Sequence, residues 1–374
     1  MAAERRNWLG LAFAVVLFAL ALDVLIRHDP IGVDFHTYLA AARTGIDRGW
    51  SLAYNQDIVA LEQWAVAPGM KMQPFLSPPT VALVTAPLAR VPYQTAYVVW
   101  AVFCFAAFAL ALAWAGVSRG ISRWIAVVGA LAPWWVMHAV NVGQVVPLVA
   151  AGTVVAWRLL RDRRDMLAGI ALLTIFLKPN TAVLVPFAVL FAGRYRAFGT
   201  WVGASTALAL VVFLLFGTSG VSAYVAQLRG PLPSGADDLT LHGALGATGA
   251  LAMALRLVIV GAVLVASFKL RQRPGLVLAI AIVGSLVISP YLHGSDLCML
   301  AAAGFVVWES LPVVSWRALL VGGWVLASPF VYLKGYALHL NRWPWFELLL
   351  LLALVIAAWR PLTSRADSGR QAPA

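Results

Sequence analysis

Four polar clusters interrupt a largely apolar chain, and the first of them carries a carboxylate suited to acid–base chemistry. Asp34 lies in Gly32-Val33-Asp34-Phe35-His36-Thr37-Tyr38, where apolar neighbours would partly desolvate it and favour a role as general base. An Asp in front of an apolar-periodic stretch is also typical of a helix N-cap. The sequence allows both interpretations.

The second cluster is Lys178-Pro179-Asn180, which separates two short apolar segments. A lysine at membrane depth is unfavourable unless it faces a cavity or a partner, and a helix start beside it offers free N–H groups to an anion. This combination suits a phosphate. The alternative is a lysine whose ammonium group reaches out to the outer membrane interface.

The other two clusters lie at turns between apolar segments. Asn141-Val142-Gly143-Gln144 supplies two amides that could bind sugar hydroxyls or satisfy helix ends. In the stretch 289–296, His293 and Asp296 could move a proton or contact a phosphate, although Asp296 could instead cap the next helix. The six histidines have no zinc-binding spacing, and there is no Gly-rich nucleotide loop. We therefore expect neither a metal site nor a bound nucleotide.

The composition places these clusters in a membrane protein. The chain is 62% hydrophobic and 11% charged, whereas soluble domains average about 45–50% and about 25%. Together these values exclude a soluble globular protein. We predict an all-α polytopic fold of about 12 transmembrane helices, at residues 8–26, 93–117, 124–140, 144–160, 166–177, 181–193, 197–216, 248–268, 275–290, 297–312, 318–333 and 344–359.

The distribution of basic residues predicts the orientation. Arg5 and Arg6 place the N-terminus in the cytoplasm, and counting crossings from there puts 17 of the 27 Lys and Arg residues on the cytoplasmic side. The net charge of +12 then reflects orientation, and no nucleic-acid partner is needed. Segments 166–177 and 181–193 are too short to span a core of about 30 Å. A re-entrant hairpin there keeps Arg161–Arg164 and Arg194–Arg196 on one face.

The predicted organisation is a single transmembrane domain over residues 1–360 with its chemistry on the extracytoplasmic face. The first outer loop, about 28–92, contains amphipathic stretches near Phe35–Ile46 and Gln56–Val66, and a second outer loop covers about 217–247. Residues 361–374 are expected to form a disordered cytoplasmic tail. Both termini are therefore cytoplasmic, and the protein is expected in the plasma (inner) membrane.

Five motifs, in this order, resemble the GT-C superfamily of polytopic glycosyltransferases. Within it they are most similar to family 87, the polyprenyl-phosphate-sugar-dependent enzymes that include mycobacterial mannosyltransferases. The motifs are GVDFHTYLAAA at 32–42, FLSPPTVALVTAPLARVPYQTAYVVW at 75–100, NVGQ at 141–144, KPNTAVLVP at 178–186 and SPYLHGSDL at 289–297.

The resemblance implies a GT-C-like helical bundle that transfers mannose or a related sugar, with inversion, from a polyprenyl-phosphate donor to a lipid- or glycan-linked acceptor. It implies Asp34 as the general base and Lys178 as the cation for the leaving phosphate. It also implies that His293 and Asp296 lie beside the sugar phosphate. We further predict five more substrate-binding residues, namely Asn141, Gln144, His36, Tyr38 and Tyr291. Because His36 stands where an Asp-x-Asp motif has its second Asp, we expect no divalent metal and no other cofactor.

A twelve-helix secondary transporter is the alternative, because the number of crossings, the short hairpin and Lys178 also suit alternating access. That class should show two similar halves, whereas the outer polar residues of this chain concentrate in its first loop. The enzyme hypothesis makes a geometric demand. Asp34 and Lys178 must lie within about 15 Å of each other to contact one bound sugar phosphate.

Overall fold

A computed structural model describes residues 2–28, 31–230, 238–311, 313–327 and 343–359. In this part of the chain the secondary structure is helical, without strands. The α-helices are α1 (Ala2–His28), α2 (Val33–Arg48), α3 (Gln56–Val66), α4 (Pro79–Thr85), α5 (Tyr93–Ala115), α6 (Ile121–Leu131), α7 (Trp134–Asn141), α8 (Val146–Arg161), α9 (Asp165–Ala171), α10 (Leu184–Phe191), α11 (Tyr195–Leu228), α12 (Leu241–Leu245), α13 (Gly249–Lys269), α14 (Pro274–Ile288), α15 (Cys298–Ser310), α16 (Val314–Ala327) and α17 (Trp343–Trp359).

Among the described residues, three helices are long and apolar enough to cross a membrane alone, namely α5, α11 and α13. Helices α6 and α7 meet the same criterion as a pair, but they are bent by 59° relative to each other. The sequence predicted one continuous segment over 124–140, and Pro133 at the bend explains the difference, because proline lacks an N–H and clashes with the preceding turn. The protein is thus an all-helical membrane protein, while the number of twelve crossings stays a prediction.

The centre of the bundle is formed by α8 and α14, which are buried on all sides. Such helices are apolar around their whole circumference because no face meets water. Helices α5, α11 and α13 instead expose large apolar side chains, as Leu110, Leu214 and Val258 illustrate. This division is typical of a membrane bundle in which outer helices contact lipid and inner helices contact protein.

The segment between α8 and α11 turns back on itself. Two 3₁₀-helices, Leu172–Leu177 and Pro179–Thr181, separate α9 from α10 and leave Lys178 at the tip. Arg194 Nη1 lies 3.5 Å from Asp165 Oδ1, so the two ends of this segment lie on one side of the bundle. This is the arrangement that the predicted re-entrant hairpin requires.

The predicted first outer loop packs as protein core. Its helix α2 is buried from Phe35 to Ala42, and the Phe35 ring lies 5.6 Å from that of Trp100 in α5. Most of the stretch predicted to be amphipathic is therefore enclosed by protein, because aromatic side chains of α5 cover the face opposite α3 and α4. The loop thus provides a rigid platform for its polar residues.

The predicted second outer loop is partly helical. Helix α11 continues to Leu228, with a break at Gly217, where φ is 64° and ψ is −176°. Glycine adopts a positive φ without the steric cost that other residues meet, so it allows this change of direction. Residues 231–237 of that loop and the predicted tail 361–374 lie outside the described residues, as do Asp29 and Arg360.

Candidate functional site

The turn between α7 and α8 fixes the start of α2. The Gly32 N–H donates to the Asn141 carbonyl at 2.8 Å, and the Asp34 N–H donates to the Val142 carbonyl at 2.9 Å. Gly32, with φ of 66°, is the N-cap, whereas Asp34 is the second helical residue and no side-chain capping bond forms. The structure therefore does not support the interpretation of Asp34 as a cap, and its side chain is available for another contact.

Gly143 allows this contact between turn and helix. Its φ is 79°, and an added Cβ would overlap the Cβ of Phe35. Gly193 has a similar φ of 78°, but no atom lies within 4 Å of an added Cβ. Comparing substitutions at the two glycines therefore distinguishes the cost of a positive φ, which both share, from the cost of the overlap with Phe35, which only Gly143 has.

We expect Gly143→Ala to destabilise the protein more than Gly193→Ala. Both changes place a side chain at positive φ, which costs about 1–2 kcal/mol, and Gly143→Ala adds an overlap of about 1–3 kcal/mol. Thermal unfolding of the purified variants measures the difference. Equal midpoints for the two variants would show that the turn and α2 are not in the close contact described.

Gln144 joins three of the candidate residues. Its Nε2 donates to Asp34 Oδ2 at 2.7 Å. Its Oε1 accepts from the Tyr38 hydroxyl at 2.9 Å and from Lys178 Nζ at 3.2 Å. An ammonium group only donates and a carboxylate only accepts, so the orientation of this amide is fixed. Asp34 and Lys178 thus lie on opposite sides of one amide group, well within the required distance of about 15 Å.

Lys178 forms a buried ion pair. Its Nζ lies 2.9 Å from Asp296 Oδ1, and the two side chains are 9% and 0% exposed. Asp296 Oδ2 accepts the His293 N–H at 2.9 Å, in a short 3₁₀-helix at Gly294–Leu297. Asp296 is therefore not the N-cap itself, but one of its oxygens completes the capping box of this short helix while the other pairs with Lys178. Its proposed part in proton transfer or phosphate binding stays a prediction. We call Asp34, Gln144, Lys178, His293 and Asp296 the polar centre.

His36 lies away from the polar centre. Its Nε2 is 2.8 Å from the Gln63 carbonyl, and its ring packs edge-on against Tyr93. Side chains two residues apart on a helix point in directions about 200° apart, whereas side chains four residues apart lie on nearly the same face. Tyr38 therefore shares the face of Asp34, and His36 points to α3. The helical spacing of the motif alone therefore separates His36 from Asp34 and Tyr38.

Asn141 and Tyr291 contribute through their backbone carbonyls. The Asn141 carbonyl accepts from the Tyr97 hydroxyl at 2.7 Å as well as from Gly32. The Tyr291 carbonyl accepts from Ser289 Oγ at 2.6 Å, and its ring centroid lies 6.2 Å from that of His293. Asn141 therefore helps to hold the start of α2 in place, and Tyr291 lies beside His293.

His138 is a neighbour of the polar centre that the sequence reasoning missed. Its ring stacks on Trp134 at 4.5 Å, Gly294 lies against both rings, and its charge acts on Asp34. His138 precedes Asn141 by three residues on α7, so helical spacing from the Asn141–Gln144 motif could have found it.

The electrostatics favour a base at Asp34. Burial raises its pKa above the ordinary value of 3.8, while Lys178 and the hydrogen bond from Gln144 act in the opposite direction. Burial and the charge of Lys178 lower the pKa of His293, so its imidazole is neutral near pH 7. Burial, and after it the charge of Asp34, raises the pKa of Tyr38 well above its usual range, so its hydroxyl stays protonated and donates to Gln144. A carboxylate with a raised pKa is the stronger proton acceptor.

The structure thus places a partly buried carboxylate, an ammonium group and a fixed amide together at the helix ends of a membrane protein, an arrangement suited to acid–base chemistry. The sequence model of glycosyltransferase family 87 matches residues 75–290, more than half of the chain. The chain belongs to this family and is a glycosyltransferase, which confirms the resemblance noted from its motifs. No curated protein and no solved structure matches the chain.

Family membership favours the enzyme over the secondary transporter. Gln144 and Lys178 lie within the matched residues, whereas Asp34, His293 and Asp296 lie outside them. The hydrogen bonds of Gln144 and the ion pair of Lys178 connect both groups in space. Among the described residues, no three His, Cys, Asp or Glu side chains are grouped as metal ligands would be.

Proposed function

We propose that the protein transfers mannose or a related sugar from a polyprenyl-phosphate donor to a lipid- or glycan-linked acceptor, with inversion at the anomeric carbon. Asp34 acts as general base and Lys178 stabilises the leaving phosphate. The observation that carries this proposal is the Gln144 amide, which holds Asp34 on one side and Lys178 on the other. Displacement needs a base and a cation at opposite ends of the reacting groups.

In the proposed reaction, Asp34 takes the proton of an acceptor hydroxyl while that oxygen attacks the anomeric carbon. The bond from this carbon to the phosphate oxygen breaks on the opposite face, and the phosphate leaves with the electron pair. Lys178 has three N–H donors, of which Gln144 accepts one. The ion pair with Asp296 keeps the ammonium group in place, and a remaining donor can contact the phosphate.

An apolar cavity of about 190 Å³ supports a lipid-linked donor. It lies between α1, α6, α7, α15, α16 and α17, and its lining includes Phe13, Trp135, Leu300 and Phe346. Leu300 follows Asp296 by four residues, about one helical turn, so the cavity begins close to the polar centre. A chain of isoprene units is entirely apolar and suits such a lining.

We further propose that the polar centre faces the extracytoplasmic side of the plasma membrane, with both termini cytoplasmic. Contacts at the other end of the bundle support this orientation. Glu309 Oε2 accepts the N–H groups of Val117 and Ser118, both at 2.8 Å, and in the last turn of α8 Arg158 Nη1 donates to the nearby Ala115 carbonyl at 3.4 Å. Arginine-rich connections mark the cytoplasmic face.

Reconstituted protein tests the proposed function directly. Vesicles containing the protein are supplied with polyprenyl-phosphate mannose, other polyprenyl-phosphate sugars or nucleotide sugars, together with a membrane lipid extract as acceptor. We expect transfer from a polyprenyl-phosphate sugar, release of polyprenyl phosphate, and no loss of rate on adding a metal chelator. Transfer from a nucleotide sugar alone, or from none of these donors, would contradict the proposal.

A further inference from the structure

We propose that the side chain of Asn180 binds a hydroxyl group of the transferred sugar and thereby contributes to sugar specificity. This inference rests on the proposed function and adds a substrate contact to it. Asn180 lies two residues after Lys178, at the tip of the hairpin. It also contacts the loop that carries His293 and Asp296, so it belongs to the surroundings of the polar centre.

Two neighbours fix the orientation of the Asn180 amide. Its Nδ2 lies 3.3 Å from the Tyr291 carbonyl oxygen and 3.4 Å from Ser289 Oγ. The carbonyl can only accept, and Ser289 already donates its hydroxyl hydrogen to the same carbonyl at 2.6 Å. Both neighbours can therefore only accept from Asn180, so they must face the NH₂ end of its amide.

The opposite end of the amide lacks a partner. Asn180 Oδ1 is buried and accepts no hydrogen bond from the part of the chain that the structure describes. Buried polar atoms are nearly always hydrogen-bonded, and an unpaired acceptor is unfavourable compared with the same atom in water. Because the amide cannot turn over without losing its contacts to Tyr291 and Ser289, the missing donor must come from outside these described residues, and a bound substrate can supply it.

The chemistry of Oδ1 identifies the kind of group that it binds. A carbonyl oxygen only accepts, so it binds a hydroxyl group and repels an ionised phosphate oxygen. Lys178 supplies the contact to the phosphate two residues earlier in the chain. A hydroxyl beside this position belongs to the sugar that the phosphate carries, which assigns the contact to the donor sugar rather than to its lipid.

Deoxy analogues of the donor sugar test the contact in a double-mutant cycle. The series is made on whichever donor the wild-type protein uses. We expect one deoxy donor to lower kcat/KM of the wild type about 10- to 100-fold. Asn180→Ala should lower kcat/KM for the natural donor by the same factor. With that deoxy donor, kcat/KM of Asn180→Ala should be no lower than with the natural donor. If the losses in kcat/KM from the substitution and from the missing hydroxyl multiply for every deoxy donor, the proposal is overturned.

Asn55→Ala is a matched control, because Asn55 only caps α3 by accepting the Ile58 N–H at 3.2 Å. It should keep the wild-type discrimination between natural and deoxy donors. If Asn180→Ala does not accumulate, Asn180→Ser replaces it in the same cycle. A wild type that uses no polyprenyl-phosphate sugar contradicts the proposed function, whereas an active wild type whose discrimination survives in the Asn180 variants contradicts this inference alone.

Discussion

Asp34→Asn is expected to lower the rate of sugar transfer by about 10²–10⁴-fold, the range that a general base contributes. The variant keeps the shape of the side chain, and its amide oxygen can still accept from Gln144 Nε2. Its thermal midpoint should equal or exceed that of the wild type. Because burial raises the pKa of Asp34, the folded protein binds this proton more tightly, and ionisation at higher pH removes stability.

Asp57→Asn is the matched control for this variant. Asp57 lies in the same predicted loop, at the first turn of α3, and its side chain is exposed. We expect a rate close to that of the wild type. Transfer at the wild-type rate in Asp34→Asn would exclude the proposed base, whatever the donor turns out to be.

The same carboxylate sets the pH dependence of transfer. The reaction needs ionised Asp34, so the rate falls as the pH decreases through its raised pKa. The acidic limb of the kcat profile should therefore lie above 3.8, the ordinary value for Asp. Gln144→Leu removes a hydrogen bond that favours the ionised form, and its acidic limb should move to still higher pH. An unchanged limb in this variant would contradict the contact.

Lys178→Met is expected to destabilise the protein by about 3–5 kcal/mol, because it leaves the Asp296 carboxylate buried without its cation. The variant should also lose about 10²–10³-fold in the rate of transfer, since the leaving phosphate loses its stabilising charge. The double variant Lys178→Met/Asp296→Leu should regain most of the stability and none of the activity. Thermal unfolding and transfer assays on the same samples separate the two effects.

Arg90→Met is the control for this pair of variants. Arg90 pairs with Asp47 at 3.4 Å, but the two side chains are 81% and 50% exposed. Exposed ion pairs contribute little to stability. We expect an almost unchanged thermal midpoint. A double variant no more stable than Lys178→Met would show that the buried carboxylate is not the cause of the loss.

The sequence was informative about which residues to consider. Asp34, Gln144 and Lys178 come from three distant parts of the chain, yet each was selected because a polar group in an apolar segment needs a partner. The turn at Lys178 was also predictable, because two segments of about 20 Å are too short for separate crossings and the arginines on both sides are expected to share a face. Local composition and charge are sufficient for both predictions.

Other features depended on packing that the sequence does not display. Nothing in the motif Asn141-Val142-Gly143-Gln144 shows that Asn141 acts through its carbonyl whereas Gln144 acts through its side chain, because this depends on where α2 docks. Pro133 signals a break in the sequence, but the prediction followed the apolar composition of 124–140 as a whole, which favours one continuous helix. The position of His36 could have been predicted, since helical spacing separates its side chain from that of Asp34.

The ion pair between Lys178 and Asp296 also constrains how the protein is made. Asp296 follows Lys178 by 118 residues, and at roughly 5–20 residues per second the ribosome reaches it only about ten seconds later. During that interval the hairpin tip has no carboxylate from the later loop, so its ammonium group must remain hydrated or paired with residues made earlier. Assembly of the polar centre is therefore a late event in membrane insertion, and chains that stop before Asp296 would leave the lysine without its partner.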